Sequence, residues 1–325
     1  MAKKNRVLFI YPFSSTFIKR DLNILKEEFQ VISFHYRGKK DIFRLLKNIL
    51  SSPVNVSWFV LGHATMAVMF SRIFGKRSII IAGGWDVVYM PEIDYGAMKG
   101  KRIKKTRYAL KKANKIMAVS ESTKEWVSKW IDRDDVITVY HGFNSEKFYP
   151  KGKKEDMVLT VGKLADDATI KVKGLETFIK AAGLLPDIKF VLIGKHDLNI
   201  AKIWREKAPS NLEIIDFMPE DRLIEYYQKA KVYAQPSFQE SFGCALAEAM
   251  LCECVPVVTR RGAIPEVVGD VGYYVEYGDA QDTANKIKEA LKSHKGSDAR
   301  KRIATLFPRK ERKKNLTKIV YDCLE

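Results

Sequence analysis

Glu240 and Glu248 stand eight positions apart in a stretch that reads Pro236-Ser237-Phe238-Gln239-Glu240-Ser241-Phe242-Gly243 and runs on through Cys244-Ala245-Leu246-Ala247-Glu248. Residues 232–235 have strand character and those after Gly243 favour helix, so Ser241, Phe242 and Gly243 are expected at a helix N-terminus, with backbone N–H groups free for an anion. Glu248 falls about two turns inside that helix. The two carboxylates are therefore not a close catalytic pair and suit different parts of one long phosphorylated ligand. A nucleotide sugar has that shape, and a carboxylate, which accepts two hydrogen bonds at once, can fix a diol of the ribose or of the sugar.

This segment resembles the E-x7-E signature of the retaining glycosyltransferases of family 4, which have the GT-B fold. The resemblance extends to Thr160-Val161-Gly162-Lys163-Leu164, Lys173-Gly174-Leu175-Glu176-Thr177-Phe178, Val191-Leu192-Ile193-Gly194 and Gly262-Ala263-Ile264-Pro265-Glu266-Val267-Val268-Gly269-Asp270. In the first half it is weaker, resting on Val119-Ser120-Glu121-Ser122 and His141-Gly142-Phe143-Asn144. It implies that Glu248 binds the ribose hydroxyls and Glu240 the hydroxyls of the transferred sugar. It also implies that His63, which follows a strand-like run, faces the sugar near the bond being broken; a satisfied core histidine is the competing account.

Glycosyl transfer needs the diphosphate leaving group neutralised, by a metal held on carboxylates or by cations and helix N-termini. The chain favours the second route, and no metal or other cofactor is expected. Lys163 ends an expected strand and Lys173 precedes Gly174 at an expected helix start, so both are assigned to the phosphates. The family usually has arginine where Lys163 stands and a shorter loop than residues 165–172, which leaves open whether Lys171 or Lys173 meets the phosphate. Gly83-Gly84-Trp85-Asp86 follows another strand, where glycine permits close backbone approach to a ligand, and these four are assigned to the acceptor side. Asp132-Arg133-Asp134 fits a metal-type D-x-D pattern but reads as a polar turn. No G-x-G-x-x-G follows the first strand, which argues against a dinucleotide oxidoreductase.

Short apolar strands alternate with amphipathic segments throughout. Strands are expected at 7–11, 31–35, 58–61, 78–82, 115–119 and 137–140, then at 157–161, 188–193, 212–215, 232–235 and 255–258. The pattern is that of parallel sheets with helices on both faces. Residues 56–70 are read as a strand passing into a buried helix, too short to span a membrane. A polar interruption at Tyr149-Pro150-Lys151-Gly152-Lys153-Lys154 sets the boundary between an acceptor domain, 1–150, and a nucleotide-sugar domain, 151–307. A last helix, 308–325, is implied by the resemblance to cross back to the first domain. The expected fold is α/β of GT-B type, two Rossmann-like doubly wound parallel-sheet domains facing across a cleft.

The 325 residues carry a net charge of +18, concentrated between Lys99 and Lys115 and again at Arg309-Lys310-Glu311-Arg312-Lys313-Lys314. Such a surface suits an anionic partner. The expected one is an anionic membrane surface met by the Lys99 to Lys115 stretch, since no nucleic-acid-binding module is recognisable. The basic start followed by Val7-Leu8-Phe9-Ile10-Tyr11 reads as a first strand, not a leader. Cys244, Cys252, Cys254 and Cys323 read as small buried hydrophobes in a reducing cytoplasm.

The resulting expectation is a retaining, metal-independent hexosyltransferase. It takes a nucleotide diphosphate sugar as donor and a glycan or lipid-linked acceptor, and it sits in the cytoplasm or on the inner face of the cell membrane. The rival classes are a non-catalytic nucleotide-sugar or polyanion-binding module and a sugar-nucleotide epimerase of similar architecture.

Overall fold

The computed structural model describes residues 4–325 and divides into two compact units, one comprising residues through Pro91, Gly96–Gly142 and Arg309–Glu325, the other Glu92–Tyr95 and Phe143–Pro308. In the first unit, strands β1 (Arg6–Tyr11), β2 (Gln30–His35), β3 (Val54–Trp58), β4 (Arg77–Ala82), β5 (Lys115–Ala118) and β6 (Val136–Thr138) form one parallel sheet in the order β2-β1-β3-β4-β5-β6. Helices α1 (Thr16–Glu28), α2 (Ile42–Leu50), α3 (Gly62–Ile73), α4 (Arg102–Lys112) and α5 (Glu121–Ser128) connect them. The central strands are apolar runs because a parallel sheet is buried on both faces. Val7 and Phe9 pack on one side with Ile18, Ile24 and Leu25 of α1, while Leu8 and Ile10 pack on the other with Leu45 and Ile49 of α2.

The second unit repeats the plan. Strands β7 (Glu155–Val161), β8 (Lys189–Gly194), β9 (Leu212–Asp216), β10 (Ala230–Gln235), β11 (Val255–Thr259) and β12 (Tyr273–Val275) form a parallel sheet in the order β12-β11-β10-β7-β8-β9. Its helices are α6 (Asp167–Lys173), α7 (Leu175–Gly183), α8 (Leu198–Lys207), α9 (Glu220–Lys229), α10 (Cys244–Leu251), α11 (Ile264–Val268), α12 (Ala280–Leu291) and α13 (Gly296–Leu306). Phe178 and Phe190 meet edge to face in its core, with Leu175, Leu192, Val232 and Val257 around them.

The chain ends in α14 (Arg309–Tyr321), which belongs to the first unit and buries Leu316, Ile319 and Val320 in the same core as Val7 and Phe9. Arg312 of this helix is 2 % exposed. Its Nε donates to Asp21 Oδ1 at 3.0 Å and its Nη2 to Asp21 Oδ2 at 2.6 Å, while Nη1 reaches the Val139 carbonyl. Asp21 Oδ2 also accepts from Trp58 Nε1 at 3.0 Å, so the buried charge pair has its hydrogen-bonding capacity filled.

Three features depart from the sequence reading. The third strand lies at Val54–Trp58, not 58–61; Phe59 takes a positive φ of 65° and residues 59–61 turn into α3. The supposed loop 165–172 is mostly the helix α6, started by Asp166, whose side chain accepts from the Thr169 N–H. Strand β12 was not expected, since its three residues at the sheet edge make no recognisable run.

Candidate functional site

Residues 236–243 leave the end of β10 and enter α10, and the second unit clamps this loop from two sides. On one side Gly174 joins α6 to α7 with φ 63°, and a Cβ there would come within 1.9 Å of the Pro236 carbonyl oxygen, so only glycine allows the approach. The Phe238 N–H donates to the Val172 carbonyl at 2.9 Å. On the other side Gly262, at φ 58°, would place a Cβ 2.3 Å from the Glu240 carbonyl oxygen, and that oxygen accepts from the Ala263 N–H at 2.9 Å. Thr259 Oγ1 donates to the Ser237 carbonyl at 2.6 Å.

The clamp brings Lys173 and Glu240 together. Lys173 Nζ donates to Glu240 Oε1 at 2.5 Å, and Ser237 Oγ donates to the same oxygen at 3.2 Å. Glu240 is 7 % exposed, whereas the Lys173 side chain keeps a third of its surface open. Lys171 instead pairs with Asp167 at 2.7 Å along the exposed side of α6. Its pKa is raised by the hydrogen bond and charge of Asp167.

Helix α10 begins at Cys244 with Gly243 as its N-cap, and the first backbone bond back to the cap is Ala247 N–H to the Gly243 carbonyl. The N–H groups of 244–246 precede that bond and have no carbonyl within the helix to receive them. Ser241 is half-buried; the Phe242 ring is buried against Phe143 at 5.7 Å and Phe307 at 5.3 Å, so it anchors the loop by packing. Behind the cap lies Gln235 at the end of β10, whose Nε2 is buried without a hydrogen-bond partner, 3.8 Å from where a Gly243 side chain would begin.

Glu248 lies on the buried side of α10 at 6 % exposure and accepts from the Tyr227 hydroxyl at 3.2 Å. Burial, with Glu248 next, pushes the Tyr227 hydroxyl well above its ordinary pKa, so it stays a donor. Lys163 is exposed and lines a hollow of about 440 Å³ with Ala165, Asp166, Lys195, His196 and Asp197. His196 Nδ1 accepts from the Leu164 N–H at 3.0 Å and its Nε2–H donates to the Ile215 carbonyl at 3.0 Å, which fixes the tautomer and ties the ends of three strands together.

In the first unit, His63 is 2 % exposed in the first turn of α3, and its Nε2–H donates to the Trp58 carbonyl at 2.8 Å. Burial lowers its pKa to about 4, so the ring is neutral near pH 7. Gly83, Gly84, Trp85 and Asp86 follow β4 as expected in position. Asp86 is fully buried, its Oδ1 accepting from the Gly83 N–H at 3.0 Å and its Oδ2 from the Val60 N–H at 2.6 Å, and burial raises its pKa to about 6. Its carboxylate therefore positions the backbone of Gly83 and Val60, and Trp85 is the half-buried side chain of the four.

Sequence reasoning did not single out Gln235, His196 or the cluster in which Arg261 lies 4.7 Å from the Phe238 ring and 5.4 Å from that of Tyr277. Tyr277 in turn donates to the Lys171 carbonyl at 3.0 Å. The paired Arg260-Arg261 directly after an apolar strand was the available signal. Asp132 and Asp134 lie in an exposed loop, and among the described residues no group of three or more His, Cys, Asp or Glu is placed to hold a metal ion.

The sequence model of the family described as "Glycosyl transferases group 1" matches residues 143–305, half of the chain and nearly all of the second unit. N-acetyl-alpha-D-glucosaminyl L-malate synthase of Bacillus anthracis is 24 % identical over 292 residues, covering 82 % of this chain and 74 % of that protein. Alpha-galactosylglucosyldiacylglycerol synthase of Streptococcus pneumoniae is 26 % identical over 208 residues, 59 % of this chain and 53 % of that one. In fold the chain is similar to Anabaena HepE, solved in complex with UDP and glucose, with a TM-score of 0.81 at 15 % identity over 98 % of this chain and 100 % of that one. It is also similar to the sucrose-phosphate synthase of Thermosynechococcus elongatus, with a TM-score of 0.79 at 16 % identity over 99 % of each chain. The two parallel six-stranded sheets with flanking helices are thus those of GT-B proteins, and the chain belongs to the group 1 family of glycosyl transferases.

Proposed function

We propose that this glycosyltransferase moves a hexose from a nucleoside diphosphate sugar to an acceptor, retaining the anomeric configuration and using no metal. The observation that carries the reading is the Lys173–Glu240 pair beside the N-terminus of α10. Lys173 and the N–H groups of 244–246 supply positive charge for the departing diphosphate, a task that preorganised donors perform without reorganisation at the moment of reaction. The unpartnered Gln235 amide behind Gly243 adds one more donor.

In this reading Glu240 holds sugar hydroxyls and Glu248 the ribose. The hydrogen bonds that Glu240 receives from Lys173 and Ser237 both fall on Oε1, leaving Oε2 as an acceptor for sugar hydroxyls. Both glutamates are engaged as hydrogen-bond acceptors, which suits binding more than attack on carbon. That supports a front-face transfer: the glycosidic bond to the phosphate oxygen breaks, the acceptor oxygen bonds to the same face of the anomeric carbon, and the departing phosphate takes the acceptor proton. The hollow lined by Lys163 and His196 is left for the remainder of the nucleotide. The complex named for Anabaena HepE and the diacylglycerol-linked glycan named for the Streptococcus relative support a UDP-sugar donor and a glycan or lipid-linked acceptor. Four free thiols suit a reducing, cytoplasmic setting.

Thermal unfolding in the presence of UDP-, GDP- and ADP-sugars tests the donor class. A ligand at a hundred times its Kd adds about 2.7 kcal/mol of stability, so at least one donor should raise the Tm of the wild type and not of Lys173→Ala. No shift with any of them would contradict the reading.

A further inference from the structure

We infer that the outer layer α2–α3–α4 of the first unit is a docking face for an anionic lipid bilayer. These helices lie, with α5, on one side of the sheet, since Leu8, Ile10, Ile80 and Ala82 pack toward that side while Val7, Phe9, Ile79 and Ile81 pack the other way; α5 carries Glu121 and Glu125, and α2, α3 and α4 are the acid-free part of the layer. The sequences IFRLLKNIL, GHATMAVMFSRI and RIKKTRYALKK contain no acidic residue. Exposed cations run across all three, with Lys47 on α2, Arg72 on α3 and Lys104, Arg107, Lys111 and Lys112 on α4. Asp41, immediately before α2, is buried and is occupied by the Arg37 N–H and the Arg44 guanidinium.

The opposite side of the same sheet is different. There the basic α14 is countered by α1: Arg309 pairs with Glu27, and Lys313 with Glu27 at 3.0 Å and Glu28 at 2.8 Å. Both faces are rich in lysine and arginine, yet α14 meets an acidic partner helix while α2, α3 and α4 carry no acid of their own. The charge is therefore placed, not merely abundant.

Apolar side chains decide what kind of polyanion fits. Phe43 of α2 is 84 % exposed and Ile73 at the end of α3 is 65 % exposed, with Leu50 and Phe74 also turned to solvent. Each stands among cations: Phe43 beside Arg44, Ile73 beside Arg72. Large aliphatic and aromatic groups interleaved with lysine and arginine match a surface whose phosphates lie just above hydrocarbon, where the apolar groups enter the headgroup boundary and the cations pair with phosphate. A nucleic-acid backbone offers phosphate but nothing to receive Ile73 or Phe43 at helix spacing. Among the described residues no helix is long and apolar enough to cross a membrane, so the attachment is to the surface and reversible.

The test is co-sedimentation of the full chain with vesicles of phosphatidylcholine alone and of phosphatidylcholine with phosphatidylglycerol, at low and high salt. Binding is expected to the anionic vesicles only and to weaken with salt. The variant K101Q/K104Q/K111Q/K112Q should lower the partition coefficient by about tenfold or more, and Phe43→Ser with Ile73→Ser should lower it by several-fold at unchanged charge. All six positions lie at the surface, and an unchanged Tm confirms that the fold is kept. Equal binding to both vesicles, binding to neither, or binding unaffected by the lysine changes overturns the inference. Binding that needs the lysines but ignores the loss of Phe43 and Ile73 also overturns it, because the face would then be a general polyanion surface.

Discussion

Lys173 donates to Glu240 across 2.5 Å although the two residues stand 67 positions apart, and the glutamate is buried while the lysine keeps a third of its side chain open. A buried carboxylate with a half-open cation can hold its own position and still present positive charge to an arriving anion. Lys171, only two positions earlier, is spent on Asp167 along α6. In the proposed reading it is Lys173, beside the buried Glu240, that meets the phosphate.

Replacing Lys173 by alanine removes that charge, and on the proposed assignment Glu248→Gln is expected to loosen the nucleotide. Loss of one such preorganised group costs about 3 kcal/mol, roughly a hundredfold in rate. Steady-state turnover at saturating donor checks this, and near-wild-type rates in both variants would contradict the site. Lys171→Ala should fall by far less.

Activity should survive chelation. The leaving group is assigned to Lys173 and the start of α10, so EDTA is expected to leave the rate unchanged; loss on chelation with recovery on adding magnesium or manganese would overturn this.

The Arg312–Asp21 pair predicts a stability effect. Both side chains are 2 % exposed or less and each fills the other's hydrogen bonds. Arg312→Ala leaves a buried carboxylate uncompensated and should cost about 3–5 kcal/mol, read as a lower denaturant midpoint, whereas Lys310→Ala on the same helix should change little.

His63 predicts a pH effect of definite sign. Burial depresses its folded pKa from 6.5 to about 4, so the folded chain keeps the ring neutral where the unfolded chain binds a proton. Its contribution is full above pH 6.5 and falls as the pH drops from there toward 4. Asp86 opposes it: its folded pKa is raised from 3.8 to about 6, so the folded chain gains relative stability as the pH falls through the same interval. His63→Gln should therefore lose less stability than the wild type between pH 7 and 4 in urea titrations, and an identical or steeper loss would contradict the assignment.

The alternation of apolar strands and the Lys173-Gly174 and Glu240-to-Glu248 motifs were legible because they are local. Eleven expected strands correspond to elements of the two sheets, one of them displaced by four positions, and only β12 escaped notice. What the sequence hid depends on distant partners. Arg312 sits in a block of surface-like cations, and its burial requires Asp21, 291 positions away. Asp86 resembled a ligand-facing acid until Val60 and Gly83 supplied its donors. The loop 165–172 proved helical because Asp166 caps it and Gly174 ends it, a pairing that its turn-like Asp166-Asp167 start concealed.

Release of nucleoside diphosphate from UDP-, GDP- and ADP-sugars by the purified chain, with water or a glycan as acceptor, tests the proposed transfer. Release is expected from at least one donor, independent of added metal, and about a hundredfold slower in Lys173→Ala. Release from none of them, or equal release by the wild type and the Lys173 variant, would contradict it.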